Sequence, residues 1–143
     1  MNMNGEDDFP YWLMDMDDAL ERFKVSLAQD VARAADLSFS SLANMEAHFL
    51  AEFSSVEQAL ATESALHIDG YARYLGEALR LYLGGTWSID FSDKKYAFYG
   101  LPQLSGKYGK VCPLTLVTAA ADRRTGLYWS TLANNLKKRL SSG

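Results

Sequence analysis

The stretch Ile68–Phe91 constrains the fold more than any other part of this chain. Ile68, Ala72, Leu75, Leu79 and Tyr82 recur at intervals of four and three, and Ala65, Ala78 and Leu83 widen the stripe. That spacing predicts one apolar face on an α-helix. Asp69, Arg73, Glu77 and Arg80 fall on another face, with Asp69/Arg73 and Arg73/Glu77 each four apart. Such pairs add about 0.2–0.5 kcal/mol each, so burial of the stripe must supply most of the stability. Gly84-Gly85 ends the helix, since glycine takes up the left-handed conformation found at many helix C-termini. Thr86–Phe91 then alternates, with Trp87, Ile89 and Phe91 on one side, as in a half-buried strand. Ser92–Lys95 reads as a polar turn and Tyr96–Gly100 as a second strand, giving a hairpin packed on the long helix.

The rest of the chain is organised around this unit. Residues 1–9 read as a flexible acidic terminus, and Pro10-Tyr11-Trp12-Leu13-Met14 as an apolar lid on the core. A first helix is expected from about Asp17 to Ala35, with Leu20, Phe23, Leu27 and Val31 as its stripe. Ser40 or Ser41 caps a second, carrying Leu42, Met45, Phe49 and Phe53, and Ser54-Ser55 opens a shorter piece reaching about Thr62. Leu101–Lys110 reads as a basic, glycine-rich loop bearing Tyr108 as an exposed aromatic. Residues 114–121 suit a strand by their β-branched members and a helix by Pro113 and the alanines; a helix ending near Arg124 is the expectation. Trp129, Leu132, Leu136 and Leu140 mark a last helix. The fold class expected is α+β in a single domain over residues 1–143: a helical N-terminal half, a small antiparallel hairpin or three-stranded sheet, and C-terminal helices.

Charge is unevenly distributed. The net charge of −4 divides into −12 over residues 1–93, which hold 17 acidic and five basic side chains, and +8 over residues 94–143, with one acidic and nine basic. From Glu6 to Glu21 there are seven acids and no base. Acids near a helix N-terminus complement its dipole, which accounts for part of this cluster. No apolar run reaches the 18 residues of a membrane span, and the acidic N-terminus does not resemble a signal peptide. Cys112 has no second cysteine to pair with. A cytoplasmic location is the expectation.

Catalytic signatures are sparse. His48 and His67 lie apart in sequence, without HExxH or CxxC, so no metal is expected, and no phosphate-binding motif calls for a cofactor. Glu52 follows His48 by four and Glu63 precedes His67 by four, so each pair can share a helix face. Cys112, between Val111 and Pro113, reads as a buried thiol, and Asp90 and Asp93 as turn residues. The basic C-terminal third, with Lys107, Lys110, Arg123, Arg124, Lys137, Lys138 and Arg139, suits phosphates, but no nucleic-acid-binding pattern accompanies it. Tyr96, Tyr99 and Tyr108 are candidates for a protein contact, where tyrosine is over-represented.

Ser41-Leu42 with Met45-Glu46, then Tyr74-Leu75-Gly76-Glu77 ahead of Gly84-Gly85-Thr86-Trp87, then Tyr99-Gly100-Leu101-Pro102, together resemble small bacterial α+β proteins of the polymorphic-toxin immunity type. The resemblance spans roughly residues 38–102 and carries structural motifs, not catalytic ones. It implies a non-enzymatic protein that binds a cognate toxin or effector and occludes its active site. An acidic protein suits a basic target such as a nuclease. The first contact candidates are Trp12 as an anchor with Asp15, Asp17, Asp18 and Glu21, followed by Tyr96, Tyr99 and Tyr108. The alternatives are a secretion chaperone for an effector, a small enzyme using Cys112 or Asp90 and Asp93, and a nucleic-acid binder; monomer and homodimer both stay open.

Overall fold

The computed structural model describes residues 7–142 and is α+β, with a helical N-terminal half, a three-stranded antiparallel sheet and two C-terminal helices. The helices are α1 (Asp8–Met14), α2 (Met16–Ser26), α3 (Gln29–Ala34), α4 (Ser41–Glu52), α5 (Val56–Leu60), α6 (Ala65–Leu83), α7 (Pro113–Arg123) and α8 (Tyr128–Ser142). The strands are β1 (Thr86–Ser88), β2 (Gln103–Gly106) and β3 (Gly109–Val111). Residues 1–6, most of the expected flexible terminus, lie outside the described residues; Asp8 and Phe9 already belong to α1. No helix among the described residues is long and apolar enough to cross a membrane.

The long helix is the axis of the molecule. Every residue of α6 from Gly70 to Leu79 is buried, beneath α2, α4, α7, α8 and β2. The charged face is buried as well at Arg73 and Glu77. Arg73 pairs with Asp69 as expected, Nε to Oδ2 at 2.8 Å, but its Nη1 donates to the Trp12 carbonyl instead of reaching Glu77. Glu77 accepts from Arg80 and from the Trp87 indole, both at 2.8 Å. Gly76 lets that indole lie on the helix, since a Cβ there would stand 2.1 Å from Trp87 Cη2. At the end of α6, Gly84 and Gly85 have φ of 82° and 103°, and they turn the chain into β1.

The single first helix expected from Asp17 to Ala35 is two, α2 and α3. Leu27 and Ala28 are extended, separating α2 from α3, and Ser26 Oγ donates to the Phe23 carbonyl at 2.5 Å. That side-chain bond offers the backbone an alternative to helical pairing. The expected lid is itself helical, with Pro10 in the first turn of α1, where its missing N–H costs nothing.

The sheet corrects the expected hairpin. β1 pairs not with Tyr96–Gly100 but with β2, Trp87 opposite Leu104, and β2 pairs with β3 across the two-residue turn Lys107-Tyr108. The segment read as a basic loop is therefore the middle of the sheet. Tyr96–Gly100 is a run of turns with one bridge, Asp90 to Tyr99. The cause lies just upstream. Asp90 Oδ1 accepts from the Ser92 N–H and hydroxyl, and Asp93 Oδ1 accepts from the Lys95 N–H. Two such turns in succession curl the chain before a second strand can form. The expectation that residues 114–121 are helical holds: Pro113 starts α7 and Arg124, in the left-handed conformation, ends it.

Candidate protein-binding surface

The acidic N-terminal segment is held to the core by Trp12. Its side chain is 8% exposed, its Nε1 donates to Asp69 Oδ1 at 2.9 Å, and the Arg73 guanidinium lies over its ring at 4.2 Å. Trp87 meets the same ring edge-on at 5.0 Å. Trp12 is thus an anchor within the chain and is not available as a surface anchor for a partner. Its inward position fixes the rest of α1 by helix geometry, leaving Tyr11 71% and Met14 77% exposed.

Asp17, Asp18 and Glu21 project from α2 into solvent, and Asp17 shares a groove with Met14. They form no salt bridge among the described residues, although Arg80 and Arg22 feel the charges of Asp17 and Asp18. Asp15 differs from them: it is half-buried and engages Arg22 at 2.6 Å. The helix dipole favours Asp17 and Asp18 in the first turn of α2. It does not account for Glu21, which stands four residues after Asp17, where a like charge destabilises a helix. A groove of about 390 Å³ runs from Met14 and Asp17 to Glu77, Arg80 and Trp87. A second, of about 280 Å³, opens on the other side of Asp17.

The tyrosines expected to join this surface do not. Tyr108 is 4% exposed, correcting its reading as an exposed aromatic, because its hydroxyl folds back to donate to the Gly84 carbonyl at 2.9 Å. Tyr96 and Tyr99 are half-buried in the loop between β1 and β2. Tyr96 Oη donates to Gln103 Oε1 at 2.7 Å under Lys110, and Tyr99 packs edge-on against Phe91. No hydrogen bond, salt bridge or ring contact among the described residues links either of them to α1 or α2.

Chemistry elsewhere is taken up by packing. Cys112 is buried, and burial pushes its thiol up from its ordinary range despite hydrogen bonding from Thr115. Hydrogen bonds from Ser92 hold the Asp90 carboxyl below its ordinary value, as a turn requires. Both histidines meet one carboxyl group: His67 Nε2 is 2.7 Å from Glu52 Oε2 and His48 Nε2 is 3.2 Å from Oε1. Tyr71 donates to the same Oε1 at 2.7 Å, so the cluster ties α4 to α6. His67 meets Glu52 and not Glu63, the residue four before it in sequence. The signal was present, since His48/Glu52 and His67/Tyr71 are both four-residue pairs on helices that meet. No group of three or more His, Cys, Asp or Glu among the described residues could hold a metal ion. No family model, no curated protein and no solved structure matches this chain.

Proposed function

We propose that this chain is a non-enzymatic binding protein of the immunity type, which seats a basic toxin or effector on its α1–α2 face and covers that partner's active site. The observation that carries the reading is the exposed Met14 sharing a groove with Asp17, with Tyr11 exposed on α1 and Asp18 and Glu21 exposed on α2. Large apolar side chains ringed by charge are what a protein contact needs, with apolar anchors supplying affinity and charges steering the encounter. A nuclease is the favoured target class, because an enzyme that binds phosphates presents a basic surface to match.

The test is recovery of the partner on the tagged protein from the native host, identified by mass spectrometry and then assayed. Loss of the partner's enzymatic activity at a 1:1 ratio is the expected result. A bound partner that keeps full activity overturns active-site occlusion and makes the chain a secretion chaperone. Recovery of no stoichiometric protein overturns the binding reading altogether.

A further inference from the structure

The second groove, beside Asp17, lies between α2 and the loop that follows α3. Leu20, Ala35, Leu37 and Tyr74 supply apolar lining. Glu21 stands on the α2 wall, Asp36 on the loop wall, and Lys24 is the one cation among the lining residues. With Asp17 the lining carries three acids and one base, a formal charge of −2. At about 280 Å³ the groove falls just below the roughly 300–1,000 Å³ of small-molecule pockets. That size suits one long side chain of a protein partner, the usual occupant of a hot-spot pocket.

The loop wall is held rigidly. Leu37 has φ of 65°, a left-handed conformation that a leucine adopts only when its surroundings impose it. The surroundings here are the Tyr74 hydroxyl, which accepts from the Leu37 N–H at 2.9 Å and shares a 2.7 Å hydrogen bond with Ser41 Oγ. Asp36 is pinned as well, its Oδ1 accepting from the Ser38 N–H at 3.0 Å and hydroxyl at 2.6 Å. Those bonds, with the Lys24 charge nearby, hold the Asp36 carboxyl below its ordinary range.

We infer that this groove receives an arginine side chain from the basic protein partner, its methylene stem on Leu20 and Leu37 and its guanidinium between Glu21 and Asp36. Arginine fits better than lysine because its planar fork can bond carboxylates on two walls and is less strongly hydrated. The inference rests on the binding function proposed above and names the chemistry of the partner's inserted residue.

The test uses the free protein, ¹⁵N-labelled, titrated with N-acetyl-L-arginine amide, with the lysine and norleucine analogues as comparisons. The expected result is saturable amide shifts confined to residues 17–24 and 35–38 with the arginine probe. Lysine should bind several-fold more weakly and norleucine not measurably. Glu21→Gln with Asp36→Asn should weaken the arginine probe about tenfold; Asn keeps the acceptor oxygen that Ser38 uses. Absence of saturable shifts, equal response to norleucine, or an unchanged double variant would overturn the arginine seat. A captured partner that ignores the double variant also overturns it while leaving the binding function standing. Failure to capture any partner removes the proposed function, yet the titration still reads the groove on its own.

Discussion

At the scale of single residues, the polar groups of α6 fasten the surrounding elements to the core. Tyr74 is buried, and its hydroxyl joins the Leu37 N–H to Ser41 Oγ. Tyr74→Phe leaves that N–H without its acceptor, at a cost of about 1–3 kcal/mol. The expected outcome is a lower urea midpoint with an unchanged slope, read by tryptophan fluorescence. Glu77 makes a pH prediction. Burial works against its charge, but hydrogen bonds from Arg80 and Trp87 and the Arg80 charge outweigh that and hold its carboxyl below 4.5. A depressed carboxyl binds its proton more readily in the unfolded chain, so stability rises with pH through this window. Its contribution is fully present above about pH 4.5 and is lost as pH falls through the folded value. Glu77→Gln should therefore flatten the stability profile on the acid side of about pH 4.5 and leave its shape near neutral pH unchanged.

At the scale of elements, α4 and α8 depend on a carboxyl group that is remote in sequence from the helix it caps. Glu46, fully buried on α4, accepts the Tyr128 and Trp129 N–H groups at 3.1 and 2.7 Å and so caps α8. In return Arg124 donates to the Leu50 and Phe53 carbonyls at the end of α4. Glu46→Ala should cost about 2–4 kcal/mol by leaving both donors unsatisfied, and hydrogen exchange should accelerate first in α8. Elements carrying a long apolar stripe were legible in the sequence: α4, α6 and α8 appear where their spacing put them, while α7 was read as helix from Pro113 and its alanines against β-branched residues that suit a strand. The break at Leu27-Ala28 was not legible, and of the small antiparallel sheet its presence and β1 were legible but not which segment pairs with β1. β2 carries Ser105 and Gly106, poor strand residues, and it is a strand because β1 and β3 flank it. Tyr96–Gly100 has strand-forming residues but pairs only through the single Asp90–Tyr99 bridge. Pairing between segments distant in sequence leaves no local periodicity to read.

At the scale of the whole molecule, the charge asymmetry of the sequence survives in the fold as an acidic α2 face whose Asp17 shares a groove with exposed Met14. Asp17, Asp18 and Glu21 were legible there from composition alone. Trp12 and Tyr108 were misplaced as surface residues because their hydrogen-bond partners, Asp69 and Gly84, are 57 and 24 residues away. The groove beside Leu37 had no signal at all, since leucine does not favour the left-handed conformation it adopts. An electrostatically steered contact on this face weakens as salt screens it, the Debye length falling from about 10 Å at 0.1 M to about 3 Å at 1 M. The most direct test of the central claim is capture of a partner by three forms of the protein in parallel. These are the wild type, the α2 variant Asp17→Lys/Asp18→Lys/Glu21→Lys, and a control with the same charge change elsewhere, Glu57→Lys/Glu63→Lys/Asp122→Lys. The account predicts one basic protein retained by the wild type and the control and lost from the α2 variant. Equal retention by all three, or loss from the control alone, would contradict it.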